Sequence, residues 1–318
     1  MLPAFVALAV LAPLSLRADD EHPATLHVRD RILLVRTEDG AERRIEDARE
    51  WEERRREIVH SMELAMGALP DRSDLPDLGV RVLERAEGDV YVRERISFVS
   101  EPGHRVTAYL WVPRAAPPAR GFPAALALHP TSPLGKGVVA GESEMPNRAY
   151  GLELARRGWV VIAPDYVSFG ENPWDFASDR YVSGSMKGIF DHMRAVDLLV
   201  ARKDVDASRI AAFGHSLGGH NAIFLGVFDR RVQAIVSSCG WCPFHDYYGG
   251  DIRGWTSDRY MPRLRDRYGL EPNRVPFDFY EVVAALAPRF FFTSSPLHDE
   301  NFSVEGVKKT IPVVREVW

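Results

Sequence analysis

The chain has 318 residues, of which 46% are hydrophobic and 27% charged, with a formal net charge of −5. That length suits one large α/β domain or two average ones, and the composition is that of a soluble globular protein, not of a disordered or fibrous one. The mild charge gives no reason to expect nucleic acid or an anionic membrane surface as a partner.

Leu2 to Leu16 form an apolar run broken by Pro3 and Pro13, followed by Arg17-Ala18 and then Asp19-Asp20-Glu21. Residues 1–18 read as a signal peptide with a small residue at the cleavage point, although no Lys or Arg precedes the apolar run. The run is too short for a comfortable membrane span, so export to the periplasm or the cell exterior is expected, with no membrane partner afterwards. Residues 25–28 and 31–37 read as strands, and Asp39-Gly40 signals a tight turn. Residues 47–67 read as a charged helix whose sparse apolar stripe is Trp51, Ile58, Met62 and Met66. The charge run 52–57 is expected to be a solvated face. Residues 19–75 thus form an N-terminal extension without recognisable chemistry, ending in a proline-bounded linker at 70–76.

The pattern changes near residue 80. Residues 80–84, 90–99 and 105–112 alternate apolar and polar, with Gly88-Asp89 and Pro102-Gly103 in the turns, which predicts an antiparallel meander at a sheet edge. Residues 123–128 are continuously apolar, as a central parallel strand should be. A helix at 149–157 stops at Gly158, a strand follows at 159–163, and a long helix at 185–202. Next come a strand at 209–213, a helix at 217–227 and a strand at 232–237. An aromatic-rich insertion at 241–279 precedes a helix at 280–287, a strand at 289–293 and a helix at 306–317. Strands alternating with helices predict an α/β domain over 76–318 with a doubly wound, mostly parallel sheet. Ligands of such sheets bind beyond the carboxyl ends of the strands.

At one such end lies Gly214-His215-Ser216-Leu217-Gly218-Gly219, a G-x-S-x-G run between a strand and a helix. A serine on that turn is forced into the open with its hydroxyl exposed, and the flanking glycines let the turn close. An ordinary Gly-rich turn is the plainer reading of five letters; strand before and helix after favour a nucleophile elbow. A serine hydroxyl needs a base, an orienting carboxylate and two donors for the oxyanion. The first donor is the N–H of Leu217. The second is expected in the loop His129-Pro130-Thr131-Ser132. Pro130 has no N–H, so Thr131 is chosen, with Ser132 next and His129 as a structural brace. Asp299, beyond the strand 289–293, is the expected acid; a loop Asp capping the chain near Phe302 is the plainer reading.

The base is not in its expected place, because no histidine follows His298. Three explanations stay open. The leading one is a sequence that stops short of the natural C-terminus, which would also leave Phe290, Phe291 and Phe292 on an uncovered edge strand. Alternatively His298 is a fallback base with Asp246 or Asp251 as acid, or the protein is a catalytically dead relative. His215, His220 and His245 are poor candidates: one adjoins the nucleophile, one lies on its helix, and one sits in the insertion.

Cys239 and Cys242 form a C-x-x-C pair, read as a structural bridge or two quiet thiols, since Pro243 supplies no redox helix and zinc would need two more ligands. No metal site, phosphate loop or cofactor is evident; Gly135-Lys136-Gly137 lacks the Walker spacing. Asn301-Phe302-Ser303 is a glycosylation sequon, relevant only in a eukaryotic secretory pathway. Trp241, Trp255 and their aromatic neighbours, with Trp174 and Phe176, are candidates to line a substrate pocket; the plainer reading is that they pack the insertion onto the domain.

The elbow, Ala163-Pro164-Asp165, the helical Arg194-Ala195-Val196-Asp197 and Pro296-Leu297-His298-Asp299 resemble the α/β-hydrolase superfamily. The likeness is greatest to its exported dienelactone-hydrolase-like, acetylxylan-esterase-like and prolyl-oligopeptidase-like members and covers 80–318. It implies an α/β-hydrolase fold, here expected to lack the last strand and the catalytic-histidine loop. It also implies Ser216 as nucleophile, Asp299 as acid and the Leu217 N–H in the oxyanion hole. His129-Pro130 departs from the family's His-Gly pair. The expectation is an exported serine carboxylic-ester hydrolase working through an acyl-enzyme on a small-molecule or carbohydrate ester. A prolyl-oligopeptidase-type peptidase is the runner-up, although the N-terminal segment is short for a gating propeller. An inactive binding protein on the same scaffold is the alternative of another class.

Overall fold

The computed structural model describes residues 32–36, 41–178 and 180–318. The leader-like segment 1–18, the strand expected at 25–28 and the turn at Asp39-Gly40 lie outside these. Short strands β1 (Leu34–Arg36) and β2 (Glu42–Arg44) pair antiparallel. Helix α1 (Ala48–Met66) follows, capped by the Asp47 side chain, which accepts from the Glu50 N–H.

The main sheet begins with the expected meander, β3 (Arg81–Glu87), β4 (Tyr91–Glu101) and β5 (His104–Pro113). It continues with β6 (Phe122–Leu128), α2 (Tyr150–Arg156), β7 (Val160–Pro164), α3 (Gly184–Val200), β8 (Val205–His215), α4 (Leu217–Phe228) and β9 (Val232–Ser238). The insertion contains short 3-10 turns and α5 (Arg263–Asp266); α6 (Phe279–Ala284), β10 (Phe290–Ser294) and α7 (Val304–Arg315) complete the order. Across the sheet the strands run β10-β9-β8-β6-β7-β5-β4-β3. From β10 to β7 neighbours are parallel, and β5 joins β7 antiparallel.

The period of two along each strand explains why both faces are covered. On β6 and β7, Ala124, Leu126, Leu128, Val160 and Ile162 join the large core under α3 and α4. Their alternates Ala127, Val161 and Ala163 join Ala155 of α2 in a second core on the opposite face. At the far edge, β10 exposes Phe290 and Phe292 and turns Phe291 toward Trp241.

One expectation is overturned: the run 52–57 is not a solvated face. Arg54 and Arg55 are buried. Arg54 pairs with Glu281 of α6 at 2.5 Å. Arg55 donates to the carbonyl of Ala285 at 3.0 Å and to that of Val227. Those carbonyls belong to the C-terminal ends of α6 and α4, where the helix dipoles favour a cation. A guanidinium on a long apolar stem can be buried wherever such acceptors converge.

Candidate active site

Ser216 stands between the last residue of β8 and the first of α4, with φ 55° and ψ −119°. Residues with a side chain avoid that region, so the surroundings must hold it there. They do: its N–H donates to Ser238 O at 2.9 Å, and its carbonyl accepts from Gly219 and His220 N–H at 2.8 and 3.2 Å. The glycines on either side are required by close approach. A Cβ at Gly214 would run into the carbonyl of Gly218, and one at Gly218 into that of Leu128.

Beyond this elbow lies a small pocket. It is lined by Ser216, Leu217 and His220 at the elbow and the start of α4, by Thr131, and by Tyr247, Trp255 and Tyr260 of the insertion. Asn301 and Phe302 close it, with Phe302 bridged to Tyr247 and the Asn301 side chain accepting from Tyr248 Oη. The side chains of Thr131 and Tyr260 meet at 3.1 Å. His129 braces the loop behind Thr131: its Nδ1–H donates to Pro130 O at 2.7 Å, and Nε2 accepts from Tyr166 N at 2.9 Å. Burial holds its pKa below the usual histidine range.

Of the three tryptophans expected at a pocket, Trp255 lines it. Trp241 is in the core, where Nε1 donates to Thr293 Oγ1 at 3.0 Å. Trp174 packs edge-on to His104 and Tyr181, with the Lys187 ammonium 4.8 Å over its ring. Most insertion aromatics do pack: Phe244, Trp255 and Phe279 interlock, and Phe279 stacks on Phe224 of α4.

The Asp299 carboxylate is held at both oxygens. Oδ1 accepts from the N–H groups of Asn301 and Phe302, both at 2.8 Å. Oδ2 accepts from Cys239 Sγ–H. Cys239 and Cys242 are both free thiols. Burial, with the Asp299 carboxylate adding to it, pushes the Cys239 pKa up to about 12. Thus Asp299 serves as a local cap, and its orientation is also fixed from the β9 side. His215 bonds through Nδ1 to Ser238 Oγ at 3.1 Å. Burial, helped by the Arg148 charge, lowers its pKa to about 4.

Among the described residues no imidazole is hydrogen-bonded to Ser216 or Asp299. His298 is exposed. Asp246 pairs with Lys309 at 3.1 Å and Asp251 with Arg253 at 2.5 Å. The residue that sequence reasoning passed over is His220. Its signal was its spacing: four residues after Ser216 puts it on the same face of α4, one turn on.

A model of the prolyl oligopeptidase family matches residues 148–311. YtaP of Bacillus subtilis (strain 168) is 25% identical over 273 residues, covering 81% of this chain and 84% of YtaP. Carbohydrate esterase MZ0003, from an unknown prokaryotic organism, is 22% identical over 187 residues, covering 52% of this chain and 42% of that protein. A glucuronoyl esterase structure from Solibacter usitatus superposes with a TM-score of 0.66 at 20% identity, covering 90% of this chain and 84% of the other. The shared architecture is the α/β-hydrolase fold.

Proposed function

Since the chain belongs to the prolyl oligopeptidase family, we propose that it is a serine esterase that cleaves carbohydrate esters through an acyl-enzyme. The observation that carries this reading is Ser216, held at positive φ and lining a pocket at the carboxyl edge of a parallel sheet.

In the proposed reaction Ser216 Oγ attacks the ester carbonyl, and its proton passes to a histidine base that is not among the described residues and that Asp299 would orient. The N–H groups of Leu217 and Thr131 receive the oxyanion. The imidazole returns the proton to the departing sugar oxygen, leaving an acyl-serine. Water then attacks the acyl carbon, releases the acid and restores Ser216. The sugar ester is favoured over a peptide by Tyr260, a half-buried aromatic of the insertion that lines the pocket and on which a sugar ring can stack. That MZ0003 is a carbohydrate esterase and the Solibacter enzyme a glucuronoyl esterase lends further support. Export through residues 1–18 belongs to the same proposal and predicts a mature N-terminus at Asp19.

A fluorophosphonate probe tests the reading on the full-length protein. It should label Ser216, labelling should vanish in Ser216→Ala, and the wild type should release acetate from acetylated xylo-oligosaccharides. Labelling with cleavage of prolyl peptides and no acetate release would make it a peptidase. Sugar binding without labelling would make it a binding protein.

A further inference from the structure

We propose that Tyr260 is a positioning residue for the reaction: through Thr131 it holds the second oxyanion donor in place, so that the insertion shapes the catalytic machinery as well as the pocket. This deepens the proposed function and rests on it. Thr131 and Tyr260 line the same pocket as Ser216 and Leu217. They come from distant parts of the chain, Thr131 from the loop after β6 and Tyr260 from the insertion after β9. Their hydroxyls meet at 3.1 Å. Among the described residues this is the one hydrogen bond that Thr131 makes, by backbone or side chain. Its N–H is therefore free to receive an oxyanion, and no backbone bond fixes where that N–H points.

The neighbours of Thr131 are tied down by their own bonds. Before it, the His129 ring donates to Pro130 O and accepts from Tyr166 N–H. After it, Ser132 accepts the N–H of Leu134 on its hydroxyl and that of Gly135 on its carbonyl. Thr131 lies exposed between these anchors. Tyr260, in contrast, is fixed on both sides of its backbone: its N–H donates to Ser257 O at 2.8 Å, and its carbonyl accepts from Ser185 N–H of α3 at 3.2 Å. Its side chain packs against the cluster of Tyr166, Val167, Phe169 and Leu217. A tyrosine has few side-chain torsions to lose, so its hydroxyl is a rigid prop. Either hydroxyl of the pair can donate, so the contact holds whichever way its proton lies. An oxyanion donor works by preorganisation: its N–H must stand where charge develops before the charge appears. Tyr260 supplies that fixity to Thr131 without touching the substrate.

The test measures kcat and KM of the full-length protein on 4-nitrophenyl acetate, an ester with no sugar to stack on Tyr260. Tyr260→Phe keeps the ring and removes the hydroxyl; Thr131→Val keeps the N–H and removes the hydroxyl. Each should lower kcat ~10-fold, a part of the ~10²–10³ that loss of a whole oxyanion donor costs, with KM moved less than about 2-fold. The double variant should fall no further than either single one, since both remove the same bond. Thr131→Ser, which keeps a hydroxyl, should retain most of the wild-type kcat. Thermal unfolding checks each variant, and if Tyr260→Phe does not fold, Thr131→Val against Thr131→Ser gives the same comparison. Unchanged kcat in the single variants, a fall carried by KM, or two falls that multiply in the double variant overturns the assignment. A wild type that leaves 4-nitrophenyl acetate intact overturns the proposed function and this inference with it. Normal wild-type turnover with unaffected variants overturns this inference alone.

Discussion

Asp299 and Cys239 form a pair in which each residue reports on the other. Asp299→Asn keeps an oxygen to accept from the N–H groups of Asn301 and Phe302, so the loop should survive. What is lost is the charge that steadies an imidazolium, and kcat should fall by about 10⁴. Near-normal turnover would remove Asp299 from the site. The same variant has a readout independent of activity. With its pKa pushed up to about 12, the Cys239 thiol is almost wholly protonated at pH 8, and only the thiolate reacts. Iodoacetamide should therefore modify Cys239 far more slowly in the native wild type than in the unfolded chain. Asn at 299 removes the negative charge that raises that pKa and should speed the native reaction; an unchanged rate would mean that the thiol is protected by burial alone. Position also decides what could be read beforehand. The elbow is legible because a G-x-S-x-G run between a strand and a helix is itself a local pattern, even though Gly218 is required by Leu128 of β6. His220 is not, because its burial depends on Trp255 and Tyr260, which arrive from the insertion.

Secondary structure was legible where local pattern and final environment agree. The predicted strand at 159–163 is β7, and the helix at 217–227 is α4, each within one residue at either end. β8 begins four residues before the predicted 209 because Asp206 and Ser208 interrupt the apolar pattern there. It is a strand there because Val205 pairs with Phe122, a nonlocal contact. The same blindness hid the docking of α1, whose charges look solvated until α6 supplies Glu281. Arg54 is 6% exposed. Removing one partner of a buried pair typically costs 3–5 kcal/mol, whereas replacing both can be neutral. Arg54→Met should therefore lower stability by about that much in urea unfolding, and Glu281→Gln in the same chain should recover a large part of it. The glutamine oxygen can still accept from the Asp278 N–H that Glu281 now binds at 2.9 Å. A loss below about 1 kcal/mol in the single variant would show that α1 is held by its apolar stripe alone.

Across the whole molecule, the pocket exists because the insertion folds back over the sheet, and one carboxyl ties both ends of that insertion together. Asp278, 2% exposed, accepts from Phe244 N–H at 3.0 Å near the start of the insertion and from Phe279 N–H at 2.6 Å at the start of α6. Burial raises its pKa to about 8, with the charges of Glu281 and Asp246 adding to the shift and the two N–H bonds opposing it. The folded state therefore holds this proton more tightly than the unfolded chain, whose Asp releases it near 3.8. Between those two values the native protein binds more protons than the unfolded one, so stability must fall as pH rises. The favourable contribution is full below pH 3.8 and is lost as pH climbs through about 8. Asparagine cannot ionise, so Asp278→Asn should remove this part of the slope. The decline in Tm from pH 5 to pH 9 should be shallower in the variant than in the wild type. Parallel declines would mean that Asp278 ionises at little cost and that its two N–H bonds outweigh its burial. The insertion carries Tyr247, Trp255 and Tyr260 into the pocket, so esterase activity at alkaline pH should be lost at a lower temperature in the wild type than in the variant.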